Sequence, residues 1–211
     1  MATHPCATYS LILRDPETRW IGSAVASKHL AVGPAVSHAM AGVGVVHAQF
    51  WCCHDTAALI LKHLAWRMPI QEALNQALIA DPEPQKRQVL VMDWLGNTAF
   101  HSGALAPSVV AHEAERNLIA AGNNLASADV IDAMIRSLNM SGDEPLLLRL
   151  ILALEAAEDS GGDSCGKQSA AVRIIQGPEP PTSDECLDLR VDDHPNPIAE
   201  LHRLYKLTLK K

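Results

Sequence analysis

The sequence predicts a single α+β domain in which β-sheet packs on β-sheet, and three observations carry that expectation. Hydrophobic residues make up 48% of the 211-residue chain but aromatic ones only 4%, so the core is aliphatic, and its small side chains pack in closely spaced layers. Strand patterns occur in pairs joined by turn residues, as in antiparallel hairpins. Helical spacing of apolar residues recurs in separate blocks further along the chain. The length suffices for one well-filled core and falls short of two.

Residues 8–15, Thr-Tyr-Ser-Leu-Ile-Leu-Arg-Asp, read as the first strand; residues 15–18 carry turn chemistry, and a second apolar run follows at residues 20–27. This hairpin sets Thr8 beside Ser27 and Lys28. Residues 28–34 turn away, and residues 41–49 read as a third strand in which Gly42 and Gly44 mark close backbone approach. Ala58, Leu59, Leu61, Leu64 and Ala65 give a helix over residues 55–68; Pro69 ends it and opens an antiparallel partner over residues 70–80. Residues 87–93 and 98–101 flank Gly96 and Asn97 as another hairpin. Residues 117–124 form a strand ending in a polar turn, after which Ser127 caps a helix running to about Leu138. The apolar run at residues 146–158 reads as a mostly buried helix. A polar, glycine-dense loop at residues 159–168 feeds a strand beginning near Ser169. Beyond a proline-rich stretch at residues 177–183, residues 187–191 form the last strand, and Pro195 opens a helix to about Leu207. The helix dipole favours Asp192 and Asp193, with His194, at that helix entrance.

The formal charge of −7 and the lack of a basic run exclude a nucleic-acid partner, whose affinity comes largely from lysines and arginines on phosphates. No basic stretch precedes an apolar core at the N-terminus, where Pro5 interrupts, and no apolar run is long enough to cross a membrane. The cysteines, Cys6, Cys52, Cys53, Cys165 and Cys186, are odd in number and irregularly spaced, as free thiols of a reducing compartment are. The expectation is a cytoplasmic homo-oligomer acting on a small molecule, with no cofactor, metal, nucleic acid or membrane partner.

The chemical interest lies at Thr8. A threonine hydroxyl needs a base to take its proton, and a free α-amine on the same residue, with an ordinary pKa near ~8, serves if Thr8 is the first residue of the mature chain. Residues 1–7 then form an extension or propeptide before a single domain over residues 8–211, and Ala7 is small enough to precede a cut. Otherwise Thr8 is the first residue of an ordinary strand. Gly42 and Gly44 either relieve packing or leave N–H groups free for an oxyanion. Asp163, Gln168 and Ser169 either face a ligand or satisfy their own loop.

Residues 8–15, 26–33 (Ala-Ser-Lys-His-Leu-Ala-Val-Gly), 41–44 (Ala-Gly-Val-Gly), 87–89 (Arg-Gln-Val), 161–163 with 166–170 (Gly-Gly-Asp and Gly-Lys-Gln-Ser-Ala) and 189–195 (Leu-Arg-Val-Asp-Asp-His-Pro) resemble, in that order, the bacterial family called domain of unknown function 1028. That family is similar to N-terminal nucleophile hydrolases. The resemblance implies a four-layer αββα sandwich, two antiparallel sheets face to face and covered by helices. It also implies amide-bond hydrolysis, with Thr8 matching the family's early threonine; the expected substrate is a small amide or acylated amino-acid-like compound. Thr8 Oγ1 would attack the carbonyl while Lys28 or Ser27 tunes the amine. Backbone amides near Gly42 and Gly44, or the side chain of Asn123, would hold the oxyanion, and Gln49 would contact substrate. Asp163, Gln168 and Ser169 would close the site from the other sheet. The chain departs from the family after Gln49, where Phe50-Trp51-Cys52-Cys53-His54-Asp55 replaces a loop containing proline and glycine.

A reading from another class is a non-catalytic binder of a small ligand or metal, since Cys52, Cys53, His54 and Asp55, with His47 upstream, include zinc and copper ligand types. A third is a structural subunit of an oligomer.

Overall fold

The computed structural model describes residues 7–106, 109–176 and 188–209. The expectations for residues 1–6, for the proline-rich stretch at residues 177–183, for Leu187, and for Cys6 and Cys186 lie outside them. The chain forms a four-layer αββα sandwich. A six-stranded antiparallel sheet has the order β10-β9-β2-β1-β8-β7, and a four-stranded one the order β3-β4-β5-β6. In chain order the strands are β1 (Thr8–Arg14), β2 (Ile21–Ser27), β3 (Ser37–Met40), β4 (Gly44–Phe50), β5 (Arg87–Asp93), β6 (Thr98–Ser102), β7 (Val110–Glu115), β8 (Leu118–Asn123), β9 (Ser169–Ile175) and β10 (Asp188–Val191). The helices are α1 (Val32–Val36), α2 (His54–Ala65), α3 (Ile70–Ala80), α4 (Asp129–Met140), α5 (Leu146–Asp159) and α6 (Pro197–Thr208).

Each layer boundary follows from side-chain alternation along the strands. Tyr9, Leu11 and Leu13 of β1 face α4, α5 and α6 in the largest apolar cluster. Val46, Ala48, Val89 and Val91 face α2 and α3. The intervening positions, Ile12, Ile21, Val45, Leu90, Met92 and Ile119, meet between the sheets.

The β1–β2 hairpin, the α2–α3 pair, the β5–β6 hairpin and α5 form where the sequence predicts them. The strand expected over residues 41–49 begins only at Gly44, after a turn at residues 41–43, and β3 before that turn is an addition; Gly42 holds a left-handed φ of 72° in the turn. The edge strand β7 is an addition. Ser127 does not cap α4: its hydroxyl lies 3.3 Å from Asp129 Oδ2, and Ala128 is the cap residue. Pro197, rather than Pro195, opens the last helix, where a missing N–H is tolerated.

One buried ion pair fastens the start of β5 to the helices beneath it. The Arg87 guanidinium grips Asp81 with two bonds, Nε–Oδ2 at 2.8 Å and Nη2–Oδ1 at 3.0 Å, and Thr56 Oγ1 donates to Asp81 Oδ2 at 2.6 Å. The two side chains are 8% and 0% exposed. Burial pushes the Asp81 carboxyl up, but the bonds from Arg87, Thr56 and the Glu83 amide outweigh it and hold the carboxyl below its usual pKa.

Three substitutions test this packing. Asp81→Asn should destabilise the fold by about 3 kcal/mol at neutral pH in urea unfolding, because Arg87 is left buried without its counter-charge. The folded-state pKa of Asp81 is depressed, so its contribution is present above the unfolded value near ~3.9 and lost as pH falls through the folded one; the gap between wild type and variant should narrow below about pH 4. Gly44→Ala places a Cβ 2.4 Å from the Met92 carbonyl oxygen, a backbone atom of the neighbouring strand, and thermal unfolding should show a loss of about 1–3 kcal/mol. Gly142→Ala, with nothing within 4 Å, should be near neutral.

Candidate functional site

Thr8 opens β1 in the middle of the six-stranded sheet, with Ser27 of β2 and Asn123 of β8 as its Cα partners. Directly opposed residues share a face, and this face is turned to the second sheet because Ile12, four positions along β1, lies in the inter-sheet core. Thr8 and Asn123 are 0% exposed and Ser27 2%. Thr8 Oγ1 donates to Ser27 Oγ over a long 3.4 Å, and Ser27 Oγ donates in turn to the carbonyl oxygen of Ala7. The hydroxyl of Thr8 and the carbonyl that precedes it are therefore joined through one serine.

Across the interface a chain of amides reaches the same spot. The Gly122 carbonyl can only accept, so it draws Gln88 Nε2 toward itself (3.0 Å) and fixes the orientation of that amide. Gln88 Oε1 then accepts hydrogen bonds from Gln49 Nε2 (2.7 Å) and Asn123 Nδ2 (3.0 Å). Gln49 Oε1 accepts from the Ser10 hydroxyl at 2.7 Å. One acceptor is left over: Asn123 Oδ1 is buried without a hydrogen-bond partner.

A second serine suggests a nucleophile and fails as one. Ser23 Oγ lies 2.7 Å from both Ser37 Oγ and His47 Nε2, but burial, with a smaller effect of His38, pushes His47 down to about 3. A general base works best with a pKa near the operating pH. The neutral His47 ring links the two sheets here.

The residues expected around Thr8 divide. Ser27, Asn123 and Gln49 converge, Gln49 through Ser10 and Gln88. Ser169 is the Cα partner of Ser27, yet its hydroxyl donates to the His29 carbonyl and accepts from the Val32 amide at 3.0 Å, pinning the segment that enters α1. Asp163 accepts the Lys28 amide (2.8 Å) and the Cys165 amide (2.7 Å). Its pKa is raised, because burial outweighs those two N–H bonds. The Gln168 amide donates to the Ser27 carbonyl (3.0 Å), while its side chain turns to Asp193 Oδ1 (3.1 Å). The Lys28 ammonium is exposed and donates to the Lys167 carbonyl at 3.4 Å. Gly42 and Gly44 are not brought to Thr8. Gly44 pairs with Asp93 at the start of β4, five residues or about 17 Å from Gln49.

The expectation that Asp163, Gln168 and Ser169 close the site from the other sheet is corrected. Ser169 belongs to β9 of the same six-stranded sheet as Thr8, and Asp163 and Gln168 to the loop that feeds it. The opposite sheet supplies Gln49 and Gln88. Sequence reasoning missed Gln88, Ser10 and the Ala7 carbonyl. The available signal was alternation: Gln88 shares its strand face with Leu90 and Met92, and Ser10 with Thr8 and Ile12.

On the helix side of the four-stranded sheet, Trp51, Cys53, Leu59, Ala77, Pro82 and Arg87 line a cavity of about 530 Å³. Among the described residues no three His, Cys, Asp or Glu side chains converge as metal ligands, and no helix is long and apolar enough to cross a membrane.

The chain is similar to the crystal structure of a DUF1028 protein from Silicibacter pomeroyi, at 31% identity and a TM-score of 0.84, over 95% of this chain and 88% of that one. Anbu (ancestral beta-subunit) from Yersinia bercovieri is similar at 13% identity and a TM-score of 0.45, over 95% of this chain and 94% of that one. No curated protein matches the chain. The model of the family of unknown function DUF1028 matches residues 8–201, starting at the threonine that opens β1, and the chain belongs to that family.

Proposed function

We propose that this chain is an amidohydrolase of the N-terminal nucleophile type, whose nucleophile, Thr8, is released by scission of the Ala7–Thr8 peptide bond. The observation that carries this reading is the Ser27 hydroxyl bonded to the Ala7 carbonyl while accepting from Thr8 Oγ1. A hydrogen bond to that oxygen stabilises the charge that develops there when the carbon is attacked. Covalent geometry keeps Thr8 Oγ1 within reach, because attack on the preceding carbonyl carbon closes a five-membered ring.

In the first step the Oγ1–C bond forms, the C–N bond breaks and the hydroxyl proton ends on the Thr8 nitrogen. The resulting Ala7 ester is hydrolysed by water, which leaves a carboxylate on Ala7 and a free amine and hydroxyl on Thr8. With substrate, the amine takes the Oγ1 proton as oxygen attacks the amide carbonyl. The same proton leaves with the departing amine, and water hydrolyses the acyl ester. Asn123 Oδ1, buried without a partner, suits an N–H of the released Thr8 amine. The resemblance to N-terminal nucleophile hydrolases supports the reaction class, and the substrate taken here is a small amide or acylated amino-acid-like compound.

The test is intact mass with N-terminal sequencing of purified, untagged protein over time. Wild type should lose residues 1–7 and begin at Thr8. Thr8→Ala should stay whole, and Ser27→Ala should process about 100-fold more slowly, as when one oxyanion donor is removed. Processed wild type should turn over members of an acyl-amide panel, and Thr8→Ala none. A wild-type chain that stays as whole as Thr8→Ala on prolonged incubation would end this reading. The cavity at Trp51, apolar along Leu59, Ala77 and Pro82, favours a second one, a small-ligand binder, in which binding is the same for wild type and Thr8→Ala.

A further inference from the structure

A second pocket opens at the edge where β9 and β10 of the large sheet face α1 and β3 of the small one. Its volume is about 250 Å³, and Arg173, Arg190, His38, His54, Ser23 and Ser37 stand on its walls, with one carboxylate, Asp188. In a chain of net charge −7, two guanidiniums and two imidazoles converge on one small space. Register explains the arginines: Asp188 pairs with Arg173 and Arg190 with Ala171, so the two guanidiniums rise from the same face of adjacent strands. Gly33 lets α1 settle on that face, since a Cβ there would meet Ala171 Cβ at 2.7 Å and Arg190 Cδ at 3.3 Å.

The arginines are only loosely neutralised. Arg173 Nε lies 3.9 Å from Asp188 Oδ2, and Arg190 Nη2 lies 3.7 Å from Asp192 Oδ2, both beyond hydrogen-bond reach. Arg173 Nε and His38 Nε2 are buried with no hydrogen-bond partner. The His38 ring bonds the Ala35 backbone through its other nitrogen and stands edge-on to His54, with ring centroids 5.0 Å apart. Buried donors and acceptors are rarely left unmade without a reason, and here two of them border the same pocket.

We propose that this pocket binds a small oxyanion, a carboxylate or a phosphate group, gripped by Arg173 and Arg190 and touched by the Ser37 hydroxyl and His38 Nε2. Guanidiniums match both oxyanions through paired N–H bonds. The volume admits an ion or a short carboxylic acid and is below that of typical sites for drug-sized ligands. The site is separate from Thr8: Ser23 and Ser27 lie four residues apart on β2, about 13 Å, and the apolar cluster of Val25, Val32, Val36 and Ala171 packs beside it. Binding here does not depend on processing at Ala7.

Titration of the full chain with inorganic phosphate and, separately, with succinate, at low ionic strength, tests this by calorimetry and by the imidazole NMR resonances of His38 and His54. Saturable binding of either anion with shifts of both rings is the expected result, and which anion binds tighter identifies the group. Arg173→Gln and Arg190→Gln should each weaken binding about tenfold or more, the scale of a lost charge-assisted pair. Ser37→Ala, a smaller change, should weaken it a few-fold, and Arg136→Gln on α4 should leave it unchanged, with circular dichroism checking each fold. No saturable shift with either anion, or equal affinity in wild type and both arginine variants, would overturn the proposal.

Discussion

The amide chain from Ser10 through Gln49 and Gln88 to Asn123, anchored on the Gly122 carbonyl, sets how the two sheets meet at the Thr8 end. Apart from the Ser23–His47–Ser37 contact, the rest of the interface is mostly apolar, and apolar contacts tolerate sliding. An amide buried here without its partner costs about 1–3 kcal/mol, so only one relative placement of β1, β4, β5 and β8 satisfies most of the chain. A one-residue slip of β5 would turn Gln88 toward the helices and Arg87 into the interface. The Arg87–Asp81 pair guards against that slip from the other side of the sheet.

The interface is therefore graded. Ile12, Leu90, Met92 and Ile119 fill one end, and Thr8, Ser10, Gln49, Gln88 and Asn123, all 0% exposed, fill the other. In a low-dielectric setting each remaining hydrogen bond is strengthened and each missing one is more costly. That is why the unpartnered Asn123 Oδ1 carries information: it sits in register with Thr8, where the peptide bond to Ala7 arrives.

Much of this was legible. The β1–β2 hairpin followed from turn chemistry at residues 15–18, and it alone brings Thr8 to Ser27. Helices α2 and α3 followed from Pro69 and the spacing of apolar residues. β3 and β7 escaped because neither shows a buried apolar alternation: β3 is Ser-His-Ala-Met with no buried residue, and β7 is an edge strand exposed at four of its six residues. Gln88 escaped because one glutamine in an apolar strand reads as a surface position until the opposite sheet is known. Asp163 and Ser169 were legible as polar residues in a site-bearing loop. Their partners, the amides of Lys28 and Val32, depend on how that loop meets the end of β2, which no local pattern encodes. Gly44 was legible as a close approach, and the Met92 carbonyl beside it is that approach.

The glycine-dense loop thus braces the end of β2 instead of lining a cleft. Asp163 holds the Lys28 amide and the Gln168 amide holds the Ser27 carbonyl, so the backbone on both sides of the Ser27 side chain is fixed where its hydroxyl meets the Ala7 carbonyl. The same brace sends the Lys28 ammonium outward to an exposed position, where solvent screens its field. On the proposed mechanism the basicity of a released Thr8 amine is then set by its surroundings rather than by Lys28. Burial disfavours the ammonium form, and an acceptor at Asn123 Oδ1 leaves the neutral amine one bond donor satisfied and its lone pair available for the hydroxyl proton. A nucleophile tuned in this way needs no charged neighbour, which fits a site whose other members are hydroxyls and amides.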